Sequence, residues 1–343
     1  MTNRLELNWK LDGFVNEQRY YCSETPIDPL NLPVPKAVLA GDVRTYIDSV
    51  GIEKGKQYYL AVGSVKNGIE KLSDQVKLLA GVAWTPANLA NPSKFWLSSS
   101  SVVKDSSNRI SQLNDLTGNN FVFTQSTNNN KPILSNNDIV FDGVDDVLNG
   151  TTASKSMLNA AQVVWQLAVV KRTALDGGNV DRTLFNMVRG TSNAVRFNTQ
   201  LNSSELTVPN AINLGTRRLD ADSFDNLSAG IASNLNYQII IFKADYINGV
   251  KEIYLNGSLA SSKPTSVGTI SNVNALAEPT IGAFLTSTGY ERYSNMAVKD
   301  IITGVAQVDT TNRQKLEGWA AHKYGLKANL PPDHPYKVLV PTI

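Results

Sequence analysis

Short stretches of alternating apolar and polar residues recur along nearly the whole chain. Residues 5–10 read apolar, acidic, apolar, amide, apolar, basic, which is the period-2 pattern of a half-buried strand. Val163–Val170 and Gln238–Phe242 are nearly continuous apolar runs, as expected of strands that are covered on both faces. Because no long helical period separates these segments, the pattern predicts an all-β protein built of sandwiches. The other clear candidate strands are Arg19–Ser23, Thr45–Val50, residues 58–62, Phe121–Gln125, Ile139–Phe141, Ala194–Asn198, Glu252–Leu255 and Thr280–Leu285.

Local signals also mark turns and one helix. Asn-Gly dipeptides predict tight turns at residues 67–68, 248–249 and 256–257. Residues 308–311 offer N-cap oxygens, an apolar stripe follows through residues 316–324, and Gly325 can end the helix. We therefore expect one helix near the C-terminal end, followed by a proline-rich segment that cannot be helical.

Breaks in the pattern divide the chain. Residues 1–80 contain several short strands, which suits a small sandwich. Residues 81–93 contain two prolines and little periodicity, and we expect a linker there. Residues 94–327 form the larger second domain. Residues 328–343 form a proline-rich tail, expected to pack on that domain or on a partner chain.

Composition narrows the class of protein. Charged residues make up 18% of the chain, the net charge is +2, and 35 residues are Asn. An evenly spread charge gives nucleic acid no basic face to bind. Cys22 is the only cysteine, so no intrachain disulfide can form. The start, MTNRLELNWKLDG, has no apolar run of signal-peptide length, so we expect a reducing compartment, no visible export signal and no membrane insertion.

The N-terminal domain carries a recognisable set of residues. It includes Trp9, the stretch Gly55-x-x-Tyr58-x-Leu60-x-Val62-x-x-Val65, and the turn Asn67-Gly68-x-Glu70-x-x-Ser73. This set resembles a fibronectin type III domain, with Trp9 as its buried strand tryptophan and Tyr58 as its tyrosine corner. Only four residues precede Leu5, so the first strand of that fold looks short or absent, and an edge is left open or covered by a neighbouring chain.

A second set of stretches lies in the larger domain. It consists of Phe95-Trp96-Leu97, Ile110-x-x-Leu113-x-Asp115-x-x-Gly118-Asn119, Lys131-Pro132-Ile133-Leu134, Val140-Phe141-Asp142-Gly143-x-Asp145-Asp146-x-Leu148 and Ile253-Tyr254-Leu255-Asn256-Gly257. These stretches resemble a concanavalin A-like, laminin-G-type jelly roll. Residues 316–326 with 330–336 are similar to the end of many bacteriophage virion and tail proteins and of some bacterial surface proteins. The fold also carries lectins and enzymes, so it does not define one function.

Catalytic signatures are weak. Glucan hydrolases of this fold carry a Glu-x-Asp-x-(x)-Glu strand, and no such run occurs here. The two histidines, His322 and His334, lie in the predicted helix and the tail, where packing or solvation explains them. We therefore expect no enzyme activity. A polysaccharide-degrading enzyme on the same fold is the alternative.

Two acidic segments could supply the oxygen ligands that calcium prefers. One contains Asp142, Asp145 and Asp146, and the other contains Asp220 and Asp222. In both, a turn or a solvated face is the favoured explanation. We expect no cofactor, and calcium is the ion that these residues would suit.

Glycan binding is the remaining candidate chemistry, because exposed aromatic rings stack on sugar faces while amide and charged groups bind hydroxyls. A predicted loop contains Tyr290, Arg292, Tyr293 and Asn295, and the strand pattern adds Arg196 and Asn198. The alternative is that the two tyrosines pack locally.

Together these features predict a non-enzymatic bacteriophage structural or adhesion protein of the tail or virion surface. Its expected partners are other virion proteins and host surface glycan, and its expected location is the virion, assembled in the host cytoplasm. A head-decoration or fibre protein acting only through protein contacts is a further alternative. A homo-oligomer is left open; without coiled-coil heptads it would be built from sandwich surfaces or the tail.

Overall fold

A computed structural model describes residues 4–176, 180–187, 197–203 and 209–343. The chain divides into two compact units, one formed by Met1–Thr85 with Pro335–Ile343 and the other by Pro86–His334. Nearly all regular structure in the described residues is β-strand, with a single α-helix near the C-terminal end. The predicted all-β class is therefore confirmed. No helix in these ranges is long and apolar enough to cross a bilayer.

The smaller unit contains seven strands in its described part. They are β1 (Leu5–Asn8), β2 (Glu17–Ser23), β3 (Ala37–Ala40), β4 (Thr45–Asp48), β5 (Gln57–Lys66), β6 (Ile69–Leu72) and β7 (Val76–Leu79). One sheet has the order β3-β2-β5-β6, with β7 also paired to β5, and the other consists of β1 and β4. Leu5, Tyr20, Tyr58 and Leu60 form a buried cluster in this unit. Asn67 and Gly68 both have positive φ, so the predicted tight hairpin between β5 and β6 is confirmed.

The last residues of the chain belong to this smaller unit. The Val340 amide donates to the Gly55 carbonyl at 2.9 Å, and the Trp84 amide donates to the Pro341 carbonyl at 2.8 Å. Thr342 forms a β-bridge with Ala83. The sequence interpretation had placed this tail on the larger domain or on a partner. It was wrong about residues 335–343, because backbone pairing partners far away in sequence leave no local signal.

The larger unit contains the remaining strands and the helix. They are β8 (Phe95–Lys104), β9 (Ile110–Asp115), β10 (Phe123–Thr124), β11 (Ile133–Ser135), β12 (Asp138–Asp142), β13 (Leu148–Gly150), β14 (Val163–Arg172), β15 (Arg182–Met187), β16 (Phe197–Asn202), β17 (Ala211–Thr216), β18 (Asp225–Ala232), β19 (Gln238–Asp245), β20 (Val250–Leu255), β21 (Ser258–Pro264), β22 (Thr280–Ile281), β23 (Phe284–Leu285), β24 (Tyr290–Glu291), β25 (Asn295–Gly304) and α1 (Thr310–Lys323). Short 3₁₀ turns lie at Pro86–Asn88, Asn128–Asn130, Thr152–Ser156 and Lys327–Asn329.

One long antiparallel sheet folds back on itself to make the larger sandwich. Its strand order is β18-β17-β16-β15-β22-β13-β10-β9-β8-β25-β14-β19-β20-β21, and β12 branches from β25. Gln166 of β14 accepts a hydrogen bond from Thr199 of β16 at 2.9 Å inside the core. These strands are far apart in the sheet order, so the bond joins two facing layers. Around it lie fully buried apolar side chains such as Phe185 and Phe242.

The predicted helix is confirmed at both ends. The Asp309 carboxylate accepts a hydrogen bond from the Asn312 amide at 2.7 Å, which caps the first turn. Gly325 has a φ of +70°, the left-handed conformation that ends many helices. Trp319 packs edge-on against Trp96 of β8, with 5.4 Å between the ring centroids. The helix therefore covers one face of the sheet.

An ion-pair cluster joins the two end strands of the long sheet. Asp225 at the start of β18 contacts Lys251 of β20 at 2.8 Å and Lys263 of β21 at 2.5 Å. Burial alone would raise the pKa of Asp225, but the two lysines hold it below its ordinary value. Burial lowers the pKa of Lys251 in spite of Asp225. Lys251 is fully buried, so its charge depends on this carboxylate.

We predict that Asp225→Ala destabilises the protein by about 3 kcal/mol, because removing one partner leaves a buried charge uncompensated. Lys263→Ala is the matched control. Its side chain is 48% exposed, and loss of an exposed pair costs less than about 1 kcal/mol. Urea unfolding of the three proteins measures both values, and equal effects of the two substitutions would contradict this role for Lys251.

Candidate functional site

Strand pairing brings two of the predicted candidate segments together. Asp142 at the end of β12 pairs with Asn295 at the start of β25. We name Asp142–Asp146 the acidic turn and Tyr290–Asn295 the tyrosine loop. A Cβ atom on Gly143, whose φ is +82°, would lie 2.9 Å from the Cβ atom of Asn295. Only glycine fits there, so Gly143 allows the turn and the loop to approach this closely.

Two carboxylates of the acidic turn are used to hold its own backbone. Asp142 accepts hydrogen bonds from the amides of Val144 at 2.7 Å and Asp145 at 3.3 Å. Asp146 accepts one from the Asp142 amide at 2.8 Å. Aspartate commonly closes turns in this way, and the favoured sequence interpretation of this segment as a turn agrees with the structure.

The carboxyl group of Asp146 is the most perturbed acid of the turn. Burial raises its pKa to about 7, and the charges of Asp142 and Asp145 act in the same direction. The hydrogen bond from the Asp142 amide and the charge of Arg109 oppose this shift. Because Asp146 is only 6% exposed, little water is available to stabilise its ionised form.

The three carboxylates of the acidic turn lie within 4.8 Å of one another. Oxygen atoms at this spacing match the ligand type of calcium, but those of Asp142 and Asp146 already serve the turn. In the described ranges Asp220 and Asp222 form no comparable cluster. Asp222 instead accepts a hydrogen bond from the Leu219 amide at 3.0 Å and lies 3.5 Å from the Arg218 Nε atom.

The two tyrosines of the tyrosine loop lie beside the acidic turn at the surface. Tyr290 is 36% exposed, and its hydroxyl donates to the Asn149 side-chain oxygen at 2.8 Å. Tyr293 is partly exposed. Burial raises the pKa of Tyr293, with smaller contributions from Asp145 and Tyr290, which are close enough to interact electrostatically. Aromatic rings, an amide and a carboxylate therefore share one face, which we name the tyrosine platform (Tyr290, Tyr293, Asn149 and Asp145).

Arg182 holds the two segments together, and sequence reasoning missed it. Its Nη1 atom donates to the carbonyl oxygens of Gly143 at 3.2 Å and Tyr293 at 2.5 Å. Asp176 fixes the other side of the guanidinium through bonds of 2.9 and 2.7 Å. Each carbonyl is more than thirty residues from Arg182 along the chain, so no local motif could have identified it.

Of the other predicted binding residues, Arg292 and Asn295 are engaged within the protein. Arg292 lies 3.0 Å from Asp181 and stacks over the Phe284 ring at 4.6 Å. The Asn295 side chain accepts a bond from the Arg172 Nε atom at 2.6 Å. Asn198 is 1% exposed, and Arg196 lies outside the described residues.

The acidic groups around the tyrosines differ in whether they are paired. In the described ranges neither Asp142 nor Asp145 takes part in an ion pair, whereas Glu278 lies 3.1 Å from Lys155. Glu278 also acts electrostatically on Tyr290. The platform therefore offers hydrogen-bond acceptors beside the two unpaired carboxylates of Asp142 and Asp145.

Comparisons with known proteins come from solved structures alone. No protein-family model matches the sequence, and no curated protein matches it either. The binding domain of botulinum neurotoxin DC in complex with SialylT is similar over 68% of this chain and 52% of its own, with 12% identity and a TM-score of 0.46. The CBM40 domain of the Ruminococcus gnavus IT-sialidase, bound to α2,3 sialyllactose, is similar over 44% and 80%, with 14% identity and a TM-score of 0.36.

A second botulinum neurotoxin structure, of type C, covers 64% of this chain and 51% of its own, with 12% identity and a TM-score of 0.45. The chain thus spans about half the length of the toxin chains that it matches. Similarity at this level does not define a shared ligand. The molecule is an all-β protein of two units, and the larger unit carries a tyrosine platform beside an acidic turn.

We predict that Asp146→Asn stabilises the protein at pH 8 and has little effect at pH 4. The folded-state pKa of about 7 lies above the ordinary value near 4, so the folded state loses stability as the pH rises between these values. The amide removes this loss. A gain of about 1–4 kcal/mol is expected at pH 8, measured by thermal unfolding at both pH values. A gain of the same size at both would contradict the buried, protonated state of Asp146.

Proposed function

We propose that this protein is a non-enzymatic recognition protein whose larger unit binds a glycan at the tyrosine platform. The observation that carries the proposal is the placement of two partly exposed tyrosine rings beside an amide and an unpaired carboxylate. Tyr290 and Tyr293 offer ring faces to the apolar faces of sugar rings. Asn149 and Asp145 offer oxygen atoms to sugar hydroxyl groups.

The charge of the site selects the class of glycan. Asp142 and Asp145 are not neutralised by ion pairs in the described part of the chain, whereas Glu278 is paired with Lys155. A sialylated or sulfated sugar would meet like charge there, whereas an uncharged sugar would donate its hydroxyl protons to these acceptors. We therefore propose a neutral, hydroxyl-rich saccharide as the ligand.

The proposed setting is the surface of a bacteriophage particle. The resemblance of residues 316–326 and 330–336 to virion and tail proteins supports this setting, and so does the domain order, with a small fibronectin-like sandwich before a lectin-like one. The smaller unit would then be an attachment module or spacer. Mass spectrometry of purified particles tests this part, and absence of the protein from them would refute it.

We predict that Tyr290→Ala and Tyr293→Ala each weaken binding of a neutral glycan by about three- to tenfold, since stacking of an aromatic ring contributes about 0.5–1.5 kcal/mol. A glycan array with neutral, sialylated and sulfated members first identifies the ligand. Titration calorimetry with the best neutral glycan then measures each variant.

Two further variants serve as controls for this prediction. Tyr290→Phe keeps the ring and is expected to retain most of the affinity. Phe224→Ala removes a ring of similar exposure, 41%, outside the platform and is expected to bind normally. Equal losses in Phe224→Ala, or selective binding of acidic glycans, would contradict the proposed site.

A polysaccharide-degrading enzyme is the second candidate function, favoured by one observation. Asp146 has its pKa raised to about 7 and lies beside two other carboxylates, which is the condition of a general acid in glycoside hydrolysis. Reducing-end assays on a panel of capsular polysaccharides test this. Turnover that is lost in Asp146→Asn would establish the enzyme, and intact polysaccharide after long incubation would exclude it for that panel.

A further inference from the structure

The two layers of the smaller unit differ in width. Strands β5, β6 and β7 present one face to the cover sheet of β1 and β4, as the burial of Leu5 against Leu60 shows. Val76 and Leu78 pair with Leu60 and Tyr58, so they lie on the same face as that core. They are nevertheless 59% and 37% exposed. The cover sheet therefore stops short of β6 and β7.

A groove of about 1050 Å³ lies where the cover is missing. Residues 6–15 form one wall, and parts of β5, β6 and β7 form the floor and the other wall. Leu60 and Val62 are buried at 4% and 8% exposure, and the exposed Ile69 continues the apolar surface. The apolar face of a sheet is normally covered by a second layer, and among the residues that the structure describes none covers this part of the face.

The free edge of β1 determines the kind of molecule that fits. The Trp9 amide donates to the Arg44 carbonyl of the neighbouring segment at 3.1 Å. Because backbone groups alternate in direction along an antiparallel strand, those of Glu6 and Asn8 point away from β4. In the described residues no strand pairs with that side of β1. Donors and acceptors spaced two residues apart match an extended polypeptide.

Two lysines without an ion pair among the described residues lie at one end of the groove, whose lining also contains Glu6, Asp12 and Asp74. Lys66 and Lys71 lie, by strand register, on the same face as Leu60, and in the described part of the chain neither forms an ion pair. Trp9, which directly follows β1, donates from its indole to the Gln18 side chain of β2 at 2.6 Å. Gln18 pairs with Ser64 of β5, and Ser64 in turn pairs with Lys71 of β6. The two lysines are therefore near the C-terminal end of β1.

We propose that this groove binds an extended segment of a partner protein, which adds a third strand to the cover sheet by pairing antiparallel with β1. Every second side chain of this segment points inward and is apolar. These side chains pack over Leu60, Val76 and Leu78. An acidic residue at its N-terminal end meets Lys66 and Lys71.

The probe is the fluorescein-labelled peptide acetyl-DTVTVTI-amide, added to the full chain and followed by fluorescence anisotropy. Saturable binding is expected, and acetyl-KTVTVTI-amide is expected to bind at least about fivefold more weakly because it brings like charge to the lysines. In the double variant Lys66→Glu/Lys71→Glu this preference reverses. Absence of binding by both peptides, or a preference that the charge variants leave unchanged, would overturn the proposal.

Two proline substitutions form a matched pair, one on the groove-facing edge of β1 and one on the outer edge of β4. Asn8→Pro removes a backbone N–H that faces the groove, and Ile47→Pro removes one that faces away from β1 on the outer edge of β4. Binding is expected to fall at least about tenfold in Asn8→Pro and to persist in Ile47→Pro, with circular dichroism to verify folding. Equal binding by both would refute pairing with β1.

Two further readouts separate this proposal from others. Light scattering after size exclusion tests whether the free protein self-associates through the groove, and a dimer disrupted by Asn8→Pro would show that the occupant is a second copy. Glycan binding by the larger unit is expected to be unchanged in every groove variant, so failure of either proposal leaves the other to be judged on its own results.

Discussion

The requirement that every apolar sheet face be covered by a second layer governs both units. In the larger unit one sheet satisfies it alone, by folding back until strands β14 and β16 face each other across the core. The hydrogen bond between Gln166 and Thr199 lies between these layers. In the described residues of the smaller unit the cover sheet has two strands, and Val76 and Leu78 are exposed beside a buried core. The same constraint thus produces a closed sandwich and an open groove.

Folding a long sheet back on itself leaves two end strands without backbone partners on one side. Such edges are sites of unwanted association. Here Asp225 of β18 contacts Lys251 and Lys263 on the strands at the opposite end. Charged side chains join the ends without extending the ladder of backbone hydrogen bonds. This arrangement makes the closure depend on one carboxylate, because Lys251 has no access to solvent.

Features encoded by neighbouring residues were predictable from the sequence, and features encoded by distant pairs were not. The hairpin at Asn67-Gly68 and the cap at Asp309 follow from local backbone chemistry, and the structure confirms them. The sequence predicted that Asp142 lies in a turn after a strand and that Tyr290 lies in a loop, but not that β12 and β25 pair. The contact of Arg182 with both segments depends on that pairing. Likewise, an apolar tail can be recognised in the sequence, whereas its partner Gly55 cannot.

The acidic turn influences the site even without contacting a ligand. Burial and two neighbouring carboxylates raise the pKa of Asp146 to about 7, close to neutral pH. An anion bound at the tyrosine platform would add a further negative charge beside Asp142 and Asp145, and its desolvation would not be offset by an ion pair. An uncharged ligand avoids this cost and donates hydrogen bonds to the same oxygens. If the platform binds a saccharide as we propose, the carboxylates that shape the turn also favour an uncharged ligand over an anion.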